Sequence, residues 1–244
     1  MSGVIVNSAT IIAGGIIGLV FKKILPKKLS EVVMIGVALC VMYIGISGAV
    51  EGGQAITGIG SYTVLVAIFS IVLGAVIGGL ADFNRLINTL ASRVEDKLKD
   101  SPSSVSGGFS DSFVSGTLLF CVGAMAVVGS LDAGLTGDNS TLYAKSLLDC
   151  ISAAVFASTL GWGVICSAVP LFIYQGAIAL AAGFLAPLLS TDVIMMMKLV
   201  GSLLIIALSL NLLGVTKIKI MNYLPAIFLP IGLVPLCEWL MSVR

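Results

Sequence analysis

From Leu147 to Ser190 the chain runs for 44 residues with no Lys, Arg or Glu, and Asp149 is its single formal charge. A continuous helix of that length, rising about 1.5 Å per residue, would overshoot the roughly 30 Å hydrocarbon core of a bilayer about twofold. The run must therefore be broken. Gly161-Trp162-Gly163 is the natural place, because two glycines free the backbone from helical geometry and Trp favours a membrane interface.

The same reading applies along the whole chain. Only 10% of the 244 residues are charged, 58% are hydrophobic, and the mean hydropathy is +1.15. About a quarter of a soluble chain is charged, so there is too little polar surface here to cover a globule in water. The longest polar stretch, 81–112, is shorter than the ~50 residues of a small soluble domain. A net charge of +1 without a basic stripe excludes electrostatic binding of nucleic acid. The expected class is all-α: a polytopic helical membrane protein with about eight spans, at 4–21, 29–50, 62–80, 113–131, 147–160, 163–188, 193–214 and 222–241.

Charge counted by loop orients these spans. With the N-terminus outside, ten of the thirteen basic residues fall in inner loops, among them Lys22, Lys23, Lys27, Lys28, Arg85, Arg93, Lys97, Lys99, Lys217 and Lys219. Fusing 147–190 into one span would move Lys217 and Lys219 outside. Both termini are accordingly expected outside. The inner segment 82–99 places Phe83, Leu86, Ile87, Leu90, Val94 and Leu98 three or four residues apart, the pattern of an amphipathic cytoplasmic helix or of an extension of the third span. The stretch from Val33 resembles the stretch from Met197 and runs the opposite way in this topology, as an inverted repeat would.

Polar groups inside spans are costly, so they face the bundle interior and mark candidate sites. They are Asn7, Thr10, Ser70, Asp149, Ser158, Thr159, Ser167, Gln175, Lys198, Asn211 and Asn222. Lys145 and Asp149 stand four residues apart, on one helical face, where they pair either as an interfacial salt bridge or as an ion-coupling couple with Asp149 taking up Na⁺ or H⁺. Lys198 is expected to snorkel to the outer interface. Short or glycine-interrupted spans point to discontinuous helices, whose free backbone groups bind solutes and ions. The fourth span carries Gly123 and Gly129, and the fifth is short and ends at Gly161 and Gly163. Solute binding is accordingly expected at Gly123, Gly129, Ser158, Thr159, Gly161, Gly163, Gln175 and Asn211. Close packing through small residues is the competing explanation for the glycines, and the expected use of Gly14-x-x-x-Gly18 and Gly74-x-x-x-Gly78, which also offer faces for a homo-oligomer.

No histidine is present, which removes Ser-His triads and His-ligated metals, and no phosphate loop occurs; an enzyme, a cofactor or a metal site is not expected. The five cysteines, Cys40, Cys121, Cys150, Cys166 and Cys237, lie in apolar runs without C-x-x-C spacing and read as small core residues.

The segments from Gly116 to Asn139, Lys145 to Cys150 and Phe156 to Ala168, with Gln175-Gly176, resemble the central signature of the bacterial YdfK/YqgA-like membrane proteins, a domain of unknown function. Cys150 stands where that family's LDG triplet has glycine. The resemblance implies a small multi-pass inner-membrane protein, of a kind usually taken for a transporter, with no secure substrate and no assigned binding residues. The function expected is a secondary transporter of a small polar solute, an organic anion or amino acid, coupled to Na⁺ or H⁺. An oligomeric pore, or a structural or regulatory protein recruiting a partner through 82–99, are the alternatives.

Overall fold

The computed structural model describes residues 1–24, 27–81, 109–121 and 124–242. Its elements are α1 (Ser2–Ile24), α2 (Lys27–Ala55), a 3-10 turn at Gly60–Tyr62, α3 (Thr63–Ala81), α4 (Phe109–Cys121), α5 (Ala124–Leu135), α6 (Ser140–Leu160), α7 (Gly163–Cys166), α8 (Ala168–Leu180), α9 (Ala182–Leu185), α10 (Thr191–Leu212), a 3-10 helix at Ile220–Ile227, and α11 (Pro230–Ser242). The architecture is all-α. Among the described residues, five helical segments are long and apolar enough to cross a membrane, or up to seven if the bent pairs α4–α5 and 220–227 with α11 each count as one span. Against the eight expected, the difference lies in α6: it is 21 residues long, but Lys145 and Asp149 lower its apolarity. The amphipathic segment 82–99 falls outside the described residues, as does Gly123.

The chain divides into two compact units, described separately. The first contains α1, the start of α2, α4, most of α5, and α6 to α8. Its spine is α1 packed lengthwise on α6. Gly3 N–H donates to Asn139 Oδ1 at 2.9 Å at one end, and Lys22 Nζ donates to the Thr159 carbonyl at 3.2 Å at the other. Partners stay 136 or 137 residues apart along the contact, so the helices run parallel and in register. Gly14 and Gly18 make this approach possible, because a Cβ at either would fall on the backbone carbonyl of Cys150 or Ala154.

The bent pair α4–α5 runs the other way along α6. Phe109, at the start of α4, stacks on Trp162 with ring centroids 4.3 Å apart, and Gly163 packs on the Phe109 carbonyl, both just past the C-terminal end of α6. Gly129 of α5 meets Thr141 and Leu142 at the N-terminal end of α6. A pair that begins at one end of α6 and finishes at the other, bent by 59°, follows the course of one interrupted span. The break expected at 161–163 is present. Gly161 ends α6 with φ 105°, a conformation that glycine alone adopts without strain, and α7 starts at Gly163.

In the second unit, α2 packs antiparallel to α10. Gly45 and Gly48 lie against Ser202 and Ile206, and Gly52 against Met195 and Leu199. These helices carry the two similar stretches of the sequence. Gly74 and Gly78 of α3 seat on Ala226 and the Asn222 carbonyl, and the chain then bends 46° into α11. Both Gly-x-x-x-Gly pairs therefore pack their small faces against neighbouring helices of the same chain. Large apolar side chains stay exposed along α1 to α3, among them Ile16, Val20, Tyr43, Phe69 and Leu80. In water such faces would aggregate; against lipid they are the expected finish. Cys40 is also exposed, contrary to the core position read for it, because α2 turns that side outward.

Candidate functional site

The first unit buries a polar core where the sequence pattern puts it. On α6, Leu142, Lys145, Ser146, Asp149, Ala153, Phe156 and Leu160 recur at intervals of three or four and form the buried stripe that faces α1. Lys145 and Asp149 are thus drawn into the seam together. Lys145 Nζ donates to Asp149 Oδ2 at 2.5 Å, and their side chains are 7% and 10% exposed. On α1, Gly3, Asn7, Gly14 and Gly18 fall on one face by the same periodicity, so Asn7 enters the seam with the glycines. It is fully buried.

A third helix completes the cluster. Gln175 of α8, also fully buried, accepts at Oε1 from Asn7 Nδ2 at 3.3 Å. The Asp149 carboxylate also lies near the Asn7 carboxamide. The result is a buried polar cluster of Lys145, Asp149, Asn7 and Gln175, drawn from three helices. It is not fully satisfied: Asn7 Oδ1, an acceptor, and Gln175 Nε2, a donor, are buried without hydrogen-bond partners. Cys121, the last residue of α4, sits close enough to feel both charges of the ion pair, and Tyr174 lies beside Cys121.

The energetics set this cluster apart. Taking two charges out of water costs several kcal/mol each, and a mutual contact repays this only if the remaining groups are bonded too. Each unsatisfied buried donor or acceptor adds about 1–3 kcal/mol. A core built for stability alone would carry apolar side chains here. Concentrated cost of this kind inside an apolar helical bundle makes the cluster the candidate site.

Of the residues expected to bind solute or ion, Lys145, Asp149 and Gln175 are brought together; the other described ones lie elsewhere. Ser158 bonds the Val155 carbonyl and Thr159 those of Val155 and Phe156, so their hydroxyls are spent on their own helix. Gly161 ends α6, Gly163 seats α7 on α4, and Gly129 seats α5 on α6. Asn211 belongs to the second unit. Its Nδ2 donates to the Ile218 carbonyl and its Oδ1 accepts from Ile218 N–H and Thr216 Oγ1, closing the turn after α10. Lys198 pairs with Glu51 across α2 and α10. Asn7 is the addition. It appeared in the sequence as one polar residue among many, and its helical register with Gly14 and Gly18 is the signal that singles it out.

The profile of a family described as protein of unknown function (DUF554) matches residues 2–235. The chain is similar to the uncharacterized membrane protein YdfK of Bacillus subtilis (strain 168), 32% identical over 234 residues covering 94% of each protein. It is also similar to the uncharacterized protein YqgA of Escherichia coli (strain K12), 28% identical over 232 residues covering 95% of each. No solved structure matches.

Proposed function

Because the chain belongs to the DUF554 family, whose description assigns no activity, we propose its function from the polar core: it is a secondary transporter of a small polar solute, an organic anion or amino acid, with movement coupled to Na⁺ or H⁺. The observation that carries this reading is the buried Lys145–Asp149 pair beside two unsatisfied carboxamide atoms, enclosed among the helices of the first unit. Lys145 and the free donor attract anionic groups, while Asp149 answers to the coupling cation or proton. The interrupted span α4–α5 ends its first half next to the pair, which is where a transporter places discontinuous helices.

The rest of the reading follows from topology. Eight crossings, with the bent pairs counted once each and α6 included, keep α1 and α6 parallel, since three crossings then lie between them. With both termini outside, the basic loops lie on the cytoplasmic face of an inner membrane. The reading is of carriage rather than catalysis. Uptake of labelled organic anions and amino acids into proteoliposomes, with imposed Na⁺ and pH gradients, tests it. Saturable, gradient-dependent uptake that falls in Asp149→Asn and Gln175→Ala supports the assignment. Unchanged uptake in both variants would overturn the site.

A further inference from the structure

The four groups of the polar core divide into two complementary halves. Lys145 is a cation and Gln175 Nε2 is a buried donor with no acceptor. Asp149 is an anion and Asn7 Oδ1 is a buried acceptor with no donor. One half suits a carboxylate and the other an ammonium. From this we infer that the site reads zwitterions: an α-amino acid or similarly compact solute carrying both charges, its carboxylate taken by Lys145 and Gln175, its ammonium by Asp149 and Asn7. The inference rests on the transporter reading and narrows its solute class.

Charge balance is the physical reason. In the empty site Lys145 and Asp149 neutralise one another. A solute with only a carboxylate would draw Lys145 away and leave Asp149 buried without a counter-charge, and a simple amine would strand Lys145 in the same way. A zwitterion exchanges one ion pair for two, so no charge is left alone. It also supplies the donor that Asn7 Oδ1 lacks and the acceptor that Gln175 Nε2 lacks. A monovalent anion could meet only two of these four demands. The hydrogen bond at 3.3 Å between Asn7 and Gln175 holds the two carboxamides side by side, which fixes the spacing of the two halves.

Equilibrium binding to the full-length protein in lipid nanodiscs tests the assignment. The probes are the common L-amino acids and, for the one that binds best, its deamino acid and its decarboxylated amine. The expected result is that both single-charge analogues bind about 10- to 100-fold more weakly, the worth of a hydrogen-bonded charge. Asn7→Ala is expected to weaken the amino acid while leaving the deamino acid unaffected, and Gln175→Ala to weaken the amino acid while leaving the amine unaffected. If either single variant fails to fold, the double variant Lys145→Met, Asp149→Asn removes both charges together and must abolish the preference for the zwitterion. Equal or tighter binding of the deamino acid overturns the inference, and so does the absence of amino-acid binding by folded protein. Proteoliposome uptake separates the two levels: carboxylate uptake without amino-acid binding overturns the zwitterion and keeps the transporter, whereas uptake of neither class overturns both.

Discussion

The two units solve the same packing problem and differ in what they bury. Each sets a pair of helices close together through glycines: Gly14 and Gly18 for α1 on α6, Gly45, Gly48 and Gly52 for α2 on α10. Each pair also carries one lysine matched with an acid. In the second unit Lys198 reaches Glu51 near the end of α2, and the glutamate side chain is 65% exposed. In the first, Lys145 and Asp149 are both enclosed, beside the hydrogen-bonded Asn7 and Gln175. Glycine seams are thus common to both units, whereas among the described residues an enclosed ion pair lies in one of them. The cost of burying that pair is what the proposed site rests on.

The largest effect that would sharpen this contrast is on stability. Asp149→Ala alone leaves Lys145 buried and unpaired and is expected to cost about 3–5 kcal/mol, measured by unfolding in detergent micelles. Glu51→Ala, at the exposed pair, is expected to cost about 0–1 kcal/mol. Equal losses at the two pairs would break the comparison. Next come the seams themselves. Gly14→Ala and Gly78→Ala each drive a Cβ into a backbone carbonyl, for which about 1–3 kcal/mol is expected from overpacking, whereas Gly36→Ala, with open space at its Cβ, should be silent. Both seam variants should respond alike, since glycine packing is common to the two units.

Asn211→Ala is expected to lower stability by about 1–3 kcal/mol through the turn it closes, and to leave solute binding unchanged. Loss of binding in that variant would extend the site into the second unit. The smallest effect concerns the turn before α6. There the Ser140 backbone N–H donates to Asp138 at 2.9 Å and holds its carboxyl below the ordinary range. A depressed carboxylate contributes stability that is complete above its unfolded pKa and is lost as pH falls through the folded value. Melting temperature followed through the acid range should therefore drop slightly more in the parent than in Asp138→Asn.

Much of the fold was legible because lipid leaves few choices. Long apolar runs must be helices, and the break at Gly161 followed from length alone. The pair at Lys145 and Asp149 was legible from its spacing of four. What sequence could not give was which polar residues meet. Gln175 and Asn211 look alike in a list of intramembrane amides, yet one enters a network and the other closes a turn. Ser158 and Thr159 had donors to offer, but a helix supplies its own carbonyls three or four residues back, and these claimed both. Asn7 needed its register with the glycine stripe to be seen as a seam residue. The glycines at 129 and 163 were read for their freedom, but packing claimed their missing side chains.

Transport through the proposed site requires the polar core of the first unit to be reached from water, and requires nothing of the kind at Ser70 in the second. Gln175 and Ser70 make a matched pair for testing it: each is fully buried, each has an unpartnered polar atom, and they lie in different units. With the native cysteines replaced by alanine, Gln175→Cys and Ser70→Cys would be exposed in membranes to a charged, water-soluble thiol reagent. The account predicts that the cysteine at position 175 is labelled and the one at 70 is not. Labelling of neither, or of both at the same rate, would contradict it.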